Sequence, residues 1–237
     1  MNRIIINEVK SKVKAFSSRI FNNPLPFCLL ILLSLLASCS EEDDTVEEFA
    51  NWQKVNETYW NSLYAETQQR IEAGDASWKM IPNFSYNSDS SLSPEDYVIV
   101  HVLNEGTGAG TPLYTDTVLV HYAGRLLPSL TYTSGYQFDS SWVGDYNLST
   151  MIPMKRCVGL TTTSSGTSSL VDGFTTALLN MHVGDRWEVY IPYQLAYGST
   201  QSSSSDIPAY STLIFDMTLV SYWHPGAIVP SFKAKQQ

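Results

Sequence analysis

Between Arg186 and Ile191 the side chains alternate without a break, with Trp187, Val189 and Ile191 on one side and Arg186, Glu188 and Tyr190 on the other. Leu213, Phe215, Met217 and Leu219 alternate in the same way with Ile214, Asp216, Thr218 and Val220. A period of two places successive side chains on opposite faces, so both segments predict strands of an antiparallel sheet. Just ahead of them, Val171, Phe174, Leu178 and Met181 are spaced for one face of a short helix, with Gly184 as its stop. The apolar run Tyr97 to Leu103 and the segment Thr117 to Tyr122 read as two further strands, adjacent to each other, with Glu105 to Gly110 as the turn between them. One short helix among several strands predicts an α+β fold, an antiparallel, strongly twisted β-sheet wrapped on that helix.

From Glu41 to about Gly74 the pattern changes. Val46, Phe49, Trp52, Val55, Tyr59, Trp60, Leu63, Tyr64 and Ile71 recur at three- and four-residue intervals, which predicts an N-terminal amphipathic helix closed by Gly74. Asp44 or Thr45 is the expected cap, with Glu47 and Glu48 in the first turn, where negative charge is favourable. The stripe of Trp and Tyr needs a cover: the domain behind it, a second copy of the chain, or a client. Residues 76–94 are polar around Asn83 to Ser91 and read as a linker separating helix from domain. Thr161 to Ser169 and Ser199 to Asp206, rich in Ser, Thr and Gly, read as exposed, mobile loops.

The first 38 residues carry five basic side chains and one acid, then an apolar run from Phe27 to Leu36 ending in Leu36-Ala37-Ser38-Cys39. That run is too short for a membrane span and fits a secretory signal. Leu-Ala-Ser-Cys resembles the lipobox of bacterial lipoproteins, in which Cys39 becomes the lipidated first residue; a signal peptide with an incidental cysteine is the alternative. Acyl chains on Cys39 would hold the protein at a membrane by the anchor only, each buried CH₂ contributing about 0.8 kcal/mol. The acidic stretch Ser40 to Asp44 resembles a sorting signal of some Gram-negative lipoproteins or is a solvated tether. These features lead to an expected location in the bacterial envelope, as an outer-membrane lipoprotein facing the periplasm or the surface. Cleavage before Cys39 would leave 9 basic against 22 acidic residues, a net charge of −13 that disfavours nucleic acid and anionic headgroups as partners. Four scattered histidines and one thiol beyond Cys39, that of Cys157, make neither a zinc site nor a disulfide, and no cofactor is expected.

Six segments in one order carry a resemblance. They are Asp116 to Leu127; Phe138-Asp139-Ser140-Ser141; Leu170 to Phe174; Met181-His182-Val183-Gly184-Asp185-Arg186; Ile191 to Gly198; and Ile207-Pro208 through Phe215-Asp216. Together they resemble the FK506-binding-protein type of peptidyl-prolyl cis-trans isomerase over about residues 95 to 223. The organisation this implies is a signal peptide at 1–38, a tether, helix and linker at 39–94, the isomerase-like domain at 95–223 and a tail at 224–237.

The resemblance implies a proline pocket. Phe138, Val171, Phe174 and Phe215 would form its floor and walls and Tyr122, Leu170 and Ile207 its sides. Tyr197 would donate to a substrate carbonyl, and Asp139 would orient neighbouring groups or act on the twisting amide. Four positions depart from the family pattern: Met154 and Arg156 stand where two aromatic residues are usual, Phe174 replaces a Trp, and Asp206 occupies an apolar position. The expected activity is isomerisation of Xaa-Pro bonds in exported or unfolded polypeptides. The alternatives are a catalytically weak module that holds clients through the pocket and helix, and a structural part of a membrane assembly. A homodimer through residues 41–74 is a further expectation of the aromatic stripe.

Overall fold

The computed structural model describes residues 47–86, 91–148, 150–163, 166–201 and 206–229, the side chains of 161–168 excepted. The signal segment, Cys39, the acidic stretch to Asp44 and the expected caps Asp44 and Thr45 lie outside the described residues. The described residues belong to one compact unit beginning at Glu47.

Helix α1 spans Trp52–Glu72 and begins at Asn51, whose φ of 53° places it in the left-handed region. Glu47 and Glu48 therefore precede the helix and are not in its first turn. Glu48 is used instead as an acceptor for the Ser129 hydroxyl and the Thr131 N–H. At the other end Gly74, with φ 86°, closes the helix as its position predicts.

The strands are β1 (Trp78–Pro82), β2 (Tyr97–Asn104), β3 (Thr117–Arg125), β4 (Gln137–Ser140), β5 (Met154–Cys157), β6 (Thr161–Thr163), β7 (Gly166–Ser168), β8 (Arg186–Ile191) and β9 (Leu213–Trp223). Seven of them form one sheet in the order β1-β2-β8-β9-β3-β4, with β5 sharing the outer edge of β3 with β4, and every pairing is antiparallel. Two expectations need correction here. β2 and β3 are not neighbours, because β8 and β9 lie between them, so the turn after β2 crosses the sheet instead of forming a hairpin. The stretch read as a linker holds edge strand β1, where Pro82 is tolerated at the end of an edge. The serine- and threonine-rich segment at 161–169 is likewise no loop, since β6 and β7 pair as a small hairpin.

Helix α2 (Asp172–Asn180) lies against one face of the sheet and is buried almost all round. The register puts Val98, Val100, Val189, Ile191, Leu213, Phe215 and Met217 on that face. Strand β1 and the turn after it cover part of the helix: the Phe84 N–H donates to Thr176 Oγ1, and the Thr176 hydroxyl lies 3.3 Å from Asn83 Oδ1. The opposite face carries Ile99, Tyr190 and Ile214, also buried, because α1 packs there. The strict alternation of β9 thus fails at Ile214 for a physical reason: both faces of the sheet are covered. Trp52, Trp60 and Leu63 of α1 are in the core, so its aromatic stripe is covered by the same chain and does not stand apart from the domain.

Candidate active site

The cleft begins with a shared strand edge. β5 pairs with residues 117–120 of β3 and β4 with residues 123–125, which leaves Tyr122 at the gap between them. Ser141 fills the backbone needs there: its N–H donates to the Tyr122 carbonyl at 2.8 Å, and its Oγ accepts the Tyr122 N–H at 3.0 Å. The β3–β4 register then shifts between Gly124 and Arg125, making Phe138 an extra residue opposite no partner. Adjacent residues of a regular strand point to opposite faces, whereas a bulge re-aims one of them. That is how Phe138 and Asp139 both come to line one cleft.

Four rings build its interior. Phe215 on β9 meets Phe174 on α2 at 5.1 Å and 84°, and Phe138 on β4 at 5.6 Å and 85°. Tyr122 on β3 meets Phe174 at 5.8 Å and 89°. These are edge-to-face contacts, the arrangement that ring quadrupoles favour. The rings fit because Gly124 has no side chain: a Cβ there would lie 2.5 Å from Phe138 Cζ and 2.6 Å from Phe215 Cε1. Phe174, Phe215 and Ile207 are buried at the bottom, while Tyr197 stands at the mouth with 40% of its surface exposed.

The resulting cleft encloses about 500 Å³. It brings together Tyr122, Phe138, Asp139, Met154, Arg156, Leu170, Val171, Phe174, Tyr197, Ile207 and Phe215, all eleven pocket positions named from the sequence. Ser169 also lines it; the sequence placed that residue in a featureless polar run, and nothing in its pattern marks it out. Asp206 does not line the cleft; its carboxylate takes a 3.3 Å bond from the Tyr136 hydroxyl. Tyr122 supplies the partner that Asp139 needs: its hydroxyl donates to Asp139 Oδ2 at 2.6 Å, and the Ser140 N–H donates to Oδ1 at 2.8 Å. Burial, and then the bond to Asp139, push the Tyr122 phenol well above its ordinary range. Burial first and the Asp139 charge second raise Tyr197 as well. Both phenols stay protonated at neutral pH. Tyr122 spends its proton on Asp139, and Tyr197 is the phenol with a proton to offer at the mouth.

A ring-walled cleft with Asp139 and Arg156 in its lining and a phenolic donor at its mouth suits an apolar ring of a ligand seated among the aromatics, with polar groups beside it. Residues 108–220 match the model of the FKBP-type peptidyl-prolyl cis-trans isomerase family. The chain is 32% identical over 156 residues to the FKBP-type 22 kDa peptidyl-prolyl cis-trans isomerase of Escherichia coli, an alignment covering 66% of this chain and 65% of that protein. It is 39% identical over 116 residues to the macrophage infectivity potentiator of Trypanosoma cruzi, covering 49% of this chain and 48% of the other. To FK506-binding protein 1A of Neurospora crassa it is 32% identical over 125 residues, covering 53% of this chain and 88% of that one. The chain belongs to the FKBP-type peptidyl-prolyl cis-trans isomerase family. It spans about two thirds of the length of the first of these relatives and about half of the second.

Proposed function

We infer that this protein is a peptidyl-prolyl cis-trans isomerase acting on Xaa-Pro bonds of exported polypeptides, held at a membrane of the bacterial envelope by lipid on Cys39. The observation that carries the catalytic part is the box of Tyr122, Phe138, Phe174 and Phe215 with Tyr197 at its mouth. Rotation about an Xaa-Pro bond breaks amide resonance against a barrier of about 18–20 kcal/mol and takes ~10–100 s uncatalysed. No bond to the enzyme is required. The planar amide is charge-separated and well hydrated, and the twisted amide is less so. A dry ring-lined cleft therefore favours the twisted form relative to water, provided the proline ring is seated first.

In this reading the proline ring enters between Phe138, Phe174 and Phe215, over Ile207. Leu170 and Val171, just ahead of α2, close the side. The Tyr197 hydroxyl donates to a client carbonyl and fixes the chain while the bond turns. Asp139 holds the Tyr122 hydroxyl and so sets the position of one wall, and its charge lies beside the amide. Exchange spectroscopy of Xaa-Pro peptides by NMR tests this with the full chain. Acceleration that vanishes in Phe138→Ala and Asp139→Ala supports it, and no acceleration by a folded protein refutes it.

A second reading has its own support: Met154 and Arg156 line the cleft where the family usually has aromatic residues. Fewer rings mean weaker seating of proline, and the domain would then hold clients with little turnover. Lipidation predicts that the mature chain starts at Cys39 with added acyl mass and that Cys39→Ala releases it from membranes. Self-association through residues 41–74 would have to use Val55 and Ile71 on the exposed side of α1, since Trp52, Trp60 and Leu63 are already covered. Sedimentation of the full chain decides that point.

A further inference from the structure

We propose that a second groove, between helix α1 and the turn that carries Tyr193, binds the guanidinium or ammonium group of a basic side chain on a partner polypeptide. The proposal concerns binding alone and stands whether or not the ring-walled cleft turns over a substrate.

Three elements make the groove. Helix α1 contributes Asn56, Glu57 and Trp60, the 3-10 turn at Pro94–Asp96 contributes Glu95, and the segment after β8 contributes Tyr193 and Thr212. It encloses about 200 Å³. Asn56, Trp60 and Thr212 are buried and make its floor, whereas Asn61 and Gln194 are exposed at its rim. The Trp60 indole N–H donates to the Pro94 carbonyl at 3.1 Å and so ties the turn that carries Glu95 to the helix that carries Glu57.

The groove holds unspent acceptors. Glu57 accepts from the Tyr193 hydroxyl at 3.2 Å and from the Gln53 carboxamide at 2.9 Å, both at Oε1, which leaves Oε2. Glu95 accepts from no group among the described residues. Independently of these charges, Thr212 is 1% exposed and its Oγ1 has no hydrogen-bond partner among the described residues. Native structures seldom leave a buried polar atom in that state. Burial and then the Glu57 charge hold the Tyr193 phenol above its ordinary range and Glu95 adds to the effect, so both carboxylates act on the same space. No basic side chain lines the groove. Lys54, the base nearest to Glu57 in sequence, lines a separate hollow on α1 and forms an ion pair with neither acid.

A cation with several N–H donors answers these groups together. The two carboxylates meet its charge, the Thr212 hydroxyl accepts one of its hydrogens, and the Trp60 ring lies beside it. An anion would be repelled by both acids. The carboxamides of Asn61 and Gln194 at the rim can pair with peptide groups on either side of the bound residue, which favours a polypeptide as its bearer.

The test titrates the full chain with capped glycine peptides that carry Arg, Lys or citrulline at the centre, followed by NMR at the Trp60 indole N–H and the Thr212 amide. The peptides contain no proline, so they do not draw on the ring box. The Arg and Lys peptides should each bind about three- to tenfold more tightly than the citrulline peptide, with the ratio shrinking at high salt. Glu57→Gln combined with Glu95→Gln should bring the ratio to one, and Thr212→Val should weaken the Arg peptide. Glu66→Gln, which removes an acid elsewhere on α1, should change nothing. Methyl shifts of Ile191 and Leu213 report that the core of each variant is intact. Equal affinities for the Arg and citrulline peptides, a preference that survives the paired substitution, or an equal loss in Glu66→Gln overturns the proposal. So do shifts at Phe174 and Phe215 in place of Trp60. Methylguanidinium alone should bind more weakly than the Arg peptide, and equal affinity would overturn the polypeptide as bearer. Exchange of Xaa-Pro bonds is read on other peptides, so a failure of catalysis leaves this result standing and a failure here leaves catalysis standing.

Discussion

Replacing Gly124 by Ala adds one methyl group at the point where the cleft's rings converge. The new Cβ would stand 2.5 Å from Phe138 Cζ, 2.6 Å from Phe138 Cε2 and 2.6 Å from Phe215 Cε1. Carbon atoms rest at about 3.5–4.0 Å, so each ring must retreat by about 1 Å. Phe215 also packs on Phe174 and Tyr122, so its retreat disturbs both of those rings. Overpacking of this kind costs about 1–3 kcal/mol. The loss of glycine's freedom in the unfolded chain returns about 0.4–1 kcal/mol, because φ at Gly124 is not in the left-handed region and alanine adopts it without strain. The net expectation is a loss of about 1–2 kcal/mol, readable as a lower urea midpoint at unchanged slope. Turnover should fall further than stability does, by at least about tenfold, since displaced rings no longer seat the proline in its reactive position. A variant with wild-type midpoint and wild-type exchange rates would refute both the close approach and the role given to the ring box.

Three other outcomes follow from the packing. Asn56→Ala should cost about 1–3 kcal/mol in denaturant unfolding, because the buried Thr212 N–H donates to Asn56 Oδ1 at 2.7 Å and would lose its acceptor. Asp216→Ala removes both bonds of a fork, Arg186 Nε to Oδ1 at 3.0 Å and Nη2 to Oδ2 at 2.6 Å; about 1 kcal/mol of stability should go, and the difference from wild type should narrow in high salt. Alkaline pH should destabilise the fold through Tyr122 and Tyr190, which burial and then bonds to Asp139 and Glu188 push upward. A raised folded-state pKa means that the native state holds its protons longer, so this stability is complete below pH of about 10 and declines above it. Urea midpoints between pH 8 and 11 should fall, and Tyr122→Phe with Tyr190→Phe should flatten the decline; a flat wild-type profile would count against it.

The pocket was legible because its residues sit in short, ordered motifs and because apolar side chains at those positions have few other places to go. Phe138-Asp139-Ser140-Ser141 marks the cleft, although alternation alone would send Phe138 and Asp139 to opposite faces; the bulge that reconciles them is written in no single residue. The period of two in Arg186 to Ile191 read correctly, and so did the spacing of Val171, Phe174 and Leu178. What escaped was long-range. Residues 76–94 are polar in composition, and β1 is visible only once β2 offers it an edge. The interposition of β8 and β9 between β2 and β3 depends on β2–β8 and β3–β9 pairings between residues far apart in the chain, such as Asn104 with Arg186 and Arg125 with Ile214, which local pattern does not encode. Asn51, taking a left-handed conformation ahead of Trp52, displaced the expected helix start because Glu48 is held by Ser129 and Thr131 before the helix begins.

The position of α1 bears on the cleft although none of its residues lines it. Tyr197 and Ile207 are carried on the segment between β8 and β9, whose described residues form no regular element except a short 3-10 turn at Tyr193–Leu195. Such a segment needs fixing from outside if it is to hold a donor in place over a bond that turns. Helix α1 supplies the fixing at three points. The Trp52 indole donates to Ser211 Oγ at 2.8 Å, and that hydroxyl donates in turn to the Pro208 carbonyl. Asn56 holds the Thr212 N–H, and Glu57 accepts from the Tyr193 hydroxyl at 3.2 Å. Within the segment the Gly198 N–H donates to Tyr193 O, and the Gly198 carbonyl accepts from Tyr210. The chain of bonds runs from one face of the sheet, around its end, to the mouth of the cleft on the other face. A helix whose aromatic stripe the sequence leaves to be covered by the domain, a second copy or a client is in this fold a brace for the donor side of the site. Asn56→Ala should accordingly disturb Tyr197 as well as the core.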